Sequence, residues 1–315
     1  MAHLVQTMAY ANETPWHGLG NPLTQNQPLE VWLREAGMDW NIQSSPVHYM
    51  GDDTLRPFND AKVLYRSDTN EALSVVSNRY QVVQPREVLE FYRDLVDLGG
   101  FELETAGVLK GGKKLWALAR TGQEMMLKGD DRVAAYLLLA TACDGTLATT
   151  AQFTSVRVVC NNTLALATSD SQSAIKVPHS TKFEADKVKQ QLGIGISAWH
   201  RFITDARRLA DRPIHPFEAR RYLVELLGDP EQPFYSQPNS KALTRVLYLF
   251  AGGGKGATLA SATGTAWGLV NAVTQFVDHE RRARCVDNRL DSAWFGAGAV
   301  LKQRALEQAL ALTDK

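Results

Sequence analysis

Cysteine is scarce: Cys143, Cys160 and Cys285 are the only three in 315 residues, odd in number and far apart. A disulfide framework or a thiolate metal site needs more of them at closer spacing, so neither is expected. No apolar run approaches the roughly 20 residues of a membrane span, and the membrane drops out of the expected partners. The opening MAHLVQTMAYANE has neither a basic stretch followed by an apolar core nor an Arg-rich amphipathic pattern. A cytoplasmic location is the expectation. Formal net charge is zero, which argues against indiscriminate coating of nucleic acid, although local patches still set the local field.

Catalytic signatures are equally thin. The loop GGGKGATLASATG has Lys255 followed by Gly256-Ala257. A phosphate-binding loop requires Ser or Thr there, to hold magnesium, so this one reads as a flexible connector. No Ser or Cys occupies a nucleophile elbow. Asp278 and His279 are adjacent and diverge by about 100° on a helix, which prevents them from sharing a metal. His17 in PWHGLG reads as a packed side chain in a tight turn, and Cys160 in VVCNNT as core. No catalytic residue, metal or other cofactor is expected, and the reading leans away from an enzyme. An enzymatic alternative would start from Trp267, Asn271, Thr274 and Asp278 with His17.

The patterns present are those of an α+β protein. Leu29–Ala36 has helical spacing, and Ala61–Ser77 alternates about a Ser-Asp-Thr-Asn turn as a hairpin does. A helix opens at Pro85 and closes at Gly99-Gly100. Two further hairpins are expected, one turning at Lys110-Gly111-Gly112-Lys113 and one at Asp144-Gly145. TSVRVVCNNTLALAT then shifts to helical spacing, giving a helix near 155–168. After VPHST the pattern is almost wholly helical: about Lys182 to Ala210, Pro216–Leu227, a helix marked by Leu243, Val246, Leu247 and Phe250, then 264–284 and 291–312. The expected organisation is an α+β domain over 1–175 with an antiparallel sheet, followed by a helical region over 176–315, with a linker near 228–240.

One helical stretch, GTAWGLVNAVTQFVDHERRAR, raises its own question. Ala266, Leu269, Val270, Val273, Phe276 and Val277 make the apolar face. Trp267, Asn271, Thr274 and Asp278 fall on a second stripe, small, amide-rich and nearly uncharged. A solvated stripe would carry Lys and Glu, so these side chains are expected to press against other protein and to satisfy backbone groups.

Charge is unevenly spread. Residues 1–100 carry 13 acidic and 7 basic side chains, whereas 175–221 carry 10 basic and 5 acidic. Lys110, Lys113, Lys114, Trp116 and Arg120 interleave cations with an aromatic on one hairpin. Lys114, Trp116 and Arg120 alternate in phase and share a sheet face. Arg157, Lys182 and the run Arg281, Arg282, Arg284 add further cations. Cationic grooves with aromatic faces are how proteins hold single strands, so these ten residues form the candidate nucleic-acid-binding set.

PWHGLG, SNRYQVVQPREVLEFYRDLV, VRVVCNNTLALA, GTAWGLVNAVTQFVDH and SAWFGAGAVLKQRAL together resemble the phage/plasmid-like family grouped as domain of unknown function 932. That resemblance implies a setting on phages, plasmids or integrative elements and supplies no catalytic residues. The order helix, hairpin, strand, helix over 85–168 resembles the core of single-strand annealing proteins. That second likeness implies a basic groove beside the sheet and assembly into rings or filaments, with Lys113, Lys114, Arg120 and Arg157 at plausible equivalents. The leading expectation is a non-enzymatic protein that binds or anneals single-stranded DNA in recombination or element establishment. The alternative is a protein-interaction module that binds a host protein and counters or modulates a defence system.

Overall fold

The computed structural model describes residues 5–11, 20–93, 95–96, 100–157, 162–165, 174–192 and 196–314. His17 and Cys160 lie outside these. The fold is α+β, as expected, with a central, largely antiparallel sheet and helices concentrated in the C-terminal half. Among the described residues, no helix is long and apolar enough to cross a membrane.

The chain forms two compact units that interleave along the sequence. One comprises Met1–Gly122, Tyr136–Phe153 and Gln172–Gly195; the other comprises Gln123–Ala135, Thr154–Ser171 and Ile196–Lys315. The chain passes between them inside three long strands, β7 (Lys114–Leu127), β8 (Asp131–Ala142) and β9 (Thr149–Arg157).

In the first unit β6 (Glu102–Leu109) pairs antiparallel with β7 across the expected Lys110–Gly112 turn, and with β1 (Val5–Ala11) on its other side. β2 (Asn21–Leu23) runs parallel to β1, and β11 (Ile175–Val177) pairs with β9. Helices α1 (Leu29–Glu35) and α2 (Pro85–Glu90) supply Trp32, Leu33, Val88 and Leu89 to a core shared with Val108, Leu115 and Leu137. Tyr92 is fully buried there, its hydroxyl 2.8 Å from the Ala117 carbonyl, and loss of water drives its pKa far up. Cys143 is a free, buried thiol pushed up to about 12 for the same reason.

A second sheet, β3 (Ile42–Gly51), β4 (Thr54–Arg66) and β5 (Ala72–Ser77), contains the expected β4–β5 hairpin. It also contains a hairpin for which no element was expected. β3 and β4 pair from Ile42↔Arg66 to Pro46↔Lys62, then skip to Val47↔Phe58 and continue to Gly51↔Thr54. The residues left over, Asn59 to Ala61, form a bulge whose backbone is held by Asn78: its N–H donates to the Asp60 carbonyl at 3.2 Å and its side chain to the Asn59 carbonyl. Beyond that bulge the ribbon Val47–Phe58 is exposed almost throughout. Gln84 anchors the root, accepting from the Ile42 N–H at 2.8 Å and donating to the Ile42 carbonyl at 3.1 Å.

In the second unit the expected helix near 155–168 is replaced by strand. Arg157 ends β9, and β10 (Asn162–Ala165) pairs antiparallel with Thr154–Arg157. Thr154, Val156 and Thr163 are β-branched and fit a ladder better than a helix turn. The helices follow in order: α3 (Ala185–Leu192, in the first unit), then α4 (Ile196–Asp211), α5 (Pro216–Leu227), α6 (Ser240–Tyr248), α7 (Ala266–Gln275), α8 (Val286–Phe295) and α9 (Ala297–Thr313). The segment read as a linker is held together by Gln237, which donates to the carbonyls of Asp229 and Gln232 and accepts from the Asp229 N–H, each at 2.7 Å.

Candidate nucleic-acid interface

Every residue of α7 is buried. Thr265 caps it, accepting from the Gly268 N–H at 3.1 Å. Gly268 packs directly on the Ala262 carbonyl, and any Cβ there would overlap it. The amide-rich stripe therefore has protein on it, as its composition implied. Trp267 Nε1 donates to Asp131 at 3.0 Å, and Asn271 Nδ2 donates to the Trp267 carbonyl at 2.8 Å. The Asn271 carbonyl in turn receives Asn162 Nδ2 at 3.1 Å and the Thr274 hydroxyl at 2.9 Å. Asp278 accepts from the Thr163 N–H at 2.9 Å and from Lys302 Nζ at 2.6 Å. Lys302 is fully buried, and desolvation pulls its pKa below the ordinary lysine range against the attraction of Asp278.

The glycine loop is not the free connector its composition suggests. Asp131, wholly buried, accepts from Ser261 at 2.5 Å and pairs with Arg157 at 2.7 Å. Arg157 in turn donates to the Gly256 carbonyl at 2.9 Å. A buried ion pair thus clamps both arms of the loop, and each ion is satisfied by further hydrogen bonds, as burial requires.

On this rigid base stands a cationic surface. Leu243, Val246 and Leu249 turn inward, which leaves Lys241, Thr244, Arg245 and Tyr248 exposed at i, i+3, i+4 and i+7 on α6. With Ser240 they line a shallow depression of about 480 Å³. The Arg245 guanidinium sits 4.8 Å from the Tyr248 ring centre. The ring lies on Gly253, where a Cβ would overlap it. Two π-helical turns border the depression, Leu249–Gly253 and Phe276–Glu280, closed by the Gly254 N–H to Leu249 at 3.0 Å and the Arg281 N–H to Phe276 at 2.7 Å. Such turns interrupt helices mostly where function re-aims side chains.

These pieces are tied together. Arg245 Nη2 donates to Glu280 at 3.0 Å, Gln275 Nε2 reaches Glu280 at 3.5 Å, and Gln275 Oε1 accepts from the Lys255 N–H at 2.9 Å. Lys255, Arg282 and Arg284 are exposed, and with Lys241 they form no ion pair with the described residues. Cations with a solvent-facing ring offer phosphate neutralisation and base stacking, the two elements of single-strand binding.

Of the ten residues singled out in the sequence, three follow Glu280, the partner of Arg245, along the chain: Arg281, half-buried, and the exposed Arg282 and Arg284. The others do not form a trough. Lys114 and Trp116 are buried, because β7 is covered on both faces from Lys114 to Ala119. Arg120 is tied to Glu104 at 2.9 Å and to the Tyr136 hydroxyl, and Arg157 to Asp131. Lys110 and Lys113 are half-exposed at the β6–β7 turn, and Lys182 is exposed. Lys241, Arg245, Tyr248 and Lys255 were missed, although KALTRVLYLF places its polar side chains opposite Leu243 and Val246. Among the described residues no three His, Cys, Asp or Glu side chains gather as metal ligands would.

The family described as "Domain of unknown function (DUF932)" matches residues 72–294. No curated protein and no solved structure matches the chain.

Proposed function

The chain belongs to the domain-of-unknown-function family DUF932, and for this member of it we propose binding of single-stranded DNA without catalysis. The observation that carries the reading is the exposed ring of Tyr248 in a depression lined by Lys241 and Arg245, with the exposed Lys255, Arg282 and Arg284 on segments joined to it through Gln275 and Glu280. Lys241, Lys255, Arg282 and Arg284 follow the phosphates of an extended strand, while Arg245, held by Glu280, sets the Tyr248 ring that stacks on a base. Stacking on a ring is indifferent to base identity, so recognition is of the strand rather than of its sequence. A strand held this way keeps its remaining base edges outward, which suits annealing on a mobile element, the setting implied by the resemblance to phage and plasmid proteins.

Fluorescence anisotropy with labelled oligonucleotides across a salt series tests this. The affinity is expected to fall steeply with salt, and Arg282→Ala/Arg284→Ala to reduce the log–log slope by roughly 0.7 per lost phosphate contact. Tyr248→Ala is expected to weaken binding by about 1–3 kcal/mol while leaving the slope in place. Affinity that ignores salt, or that is equal in parent and variants, removes the proposal.

A further inference from the structure

We propose that the β3–β4 ribbon is a self-association arm, and that its occupant is the same ribbon of a second copy, related by a two-fold axis. The inference stands on the first unit alone and is independent of the DNA-binding surface.

The ribbon has no hydrophilic side. Cross-strand partners share a face, so Val47, Tyr49, Arg56 and Phe58 point one way and His48, Met50, Leu55 and Pro57 the other. Tyr49 is 50% exposed, Met50 69%, Leu55 63% and Phe58 46%. The first face continues onto the outer side of the three-stranded sheet, where Val75 is 63% exposed beside Val63. Large side chains hold roughly 150–250 Å² each, so Tyr49, Phe58 and Val75, which share that first face, leave on the order of 300 Å² per copy in water. Two copies packed on that face remove about twice that, the scale of a weak, concentration-dependent association.

Edge-to-edge strand addition is blocked, because each strand carries a proline, Pro46 and Pro57, which has no N–H to donate. Face-to-face packing is what remains. The charges then choose the partner and its direction. Asp52 and Asp53, at positive φ values of 50° and 56°, outnumber Arg56, which bridges Asp52 at 3.2 Å, and so leave the tip acidic. At the root, about 15 Å away at the rise of a strand, Arg79 is exposed next to Asn78, and Lys62 donates to the Tyr80 carbonyl at 3.1 Å, against one carboxylate, Asp60. The arm is thus negative at one end and net positive at the other. Laid antiparallel on its own copy, each tip meets the other's root; laid parallel, like charges meet. An isologous dimer is the closed solution for such a self-complementary surface.

Sedimentation velocity on the full chain, up to the high micromolar range, decides the matter. The parent is expected to dimerise, and Tyr49→Asp/Phe58→Asp to remain monomeric. Asp52→Lys/Asp53→Lys and Arg79→Glu are each expected to weaken association at least tenfold alone. Mixed together they are expected to recover the parent's affinity to within a few-fold, since lysine tips then meet glutamate roots and aspartate tips meet arginine roots. All three charge changes sit on exposed positions, so they carry the test even if the double aspartate variant fails to fold. A parent that stays monomeric, a dimer indifferent to the arm, or charge variants that gain nothing from mixing would each overturn the proposal.

Discussion

Helix α7 and the distal β3–β4 ribbon reverse the usual relation between polarity and exposure. The helix carries Asn271, Thr274 and, in the turn beyond it, Asp278, and buries them all; the ribbon carries Tyr49, Met50, Leu55 and Phe58 and exposes them. In the helix each polar group has a fixed partner: Trp267 and Asn162 for Asn271, Thr163 and Lys302 for Asp278. In the ribbon these apolar groups keep 46–69% of their surface in water. Satisfied buried polarity reads as architecture, and uncovered apolar surface as interaction. The contrast can be broken by mutation, and the two sides predict opposite outcomes.

The largest effect is expected at Lys302→Met, which leaves Asp278 buried without its cation. Loss of one partner of a buried pair costs about 3–5 kcal/mol, read as a fall in the denaturant midpoint. The pH dependence sharpens it. Because burial lowers the folded-state pKa of Lys302 below its unfolded value, the unfolded chain holds more protons between those two values. Stability should therefore rise with pH through that window in the parent, and the methionine variant should lose the rise.

Asn271→Leu comes next. It deletes the bond to the Trp267 carbonyl and sets a branched side chain against Asn162, at a cost of about 1–3 kcal/mol. If thermal melts of this variant match the parent while DNA binding is lost, the stripe is a binding site and not a scaffold. The smallest change is expected on the arm. Leu55→Ser should shift stability by less than about 0.5 kcal/mol, because most of the side chain faces water. A destabilisation of several times that would mean the ribbon is part of the fold.

Much of the fold was legible in local pattern. Pro85 opening α2, the Lys110–Gly112 turn and the break after α4 before Pro213 follow from backbone chemistry that needs no distant partner. The segment near 155–168 was not legible, since Thr154, Val156, Leu164 and Ala165 satisfy either period until β9 supplies a ladder for β10. The β3–β4 ribbon was not legible either, since Pro46 and Pro57 lie within its strands and proline is tolerated there only at edges and bulges.

The candidate site divides in the same way. Alternation correctly set Lys114, Trp116 and Arg120 in phase on β7, yet phase does not say what covers a face, and both faces of the strand are covered. The basic end of the 264–284 segment and the uncharged stripe before it were determined by sequence, because residue type and helical spacing are local facts. Which cations stay unpaired was decided only by tertiary structure. Glu104 and Asp131 reach Arg120 and Arg157 from 16 and 26 residues away, whereas Lys241, Lys255, Arg282 and Arg284 meet no such carboxylate among the described residues. Pairing of charge depends on distances across the folded chain, and no local pattern encodes them.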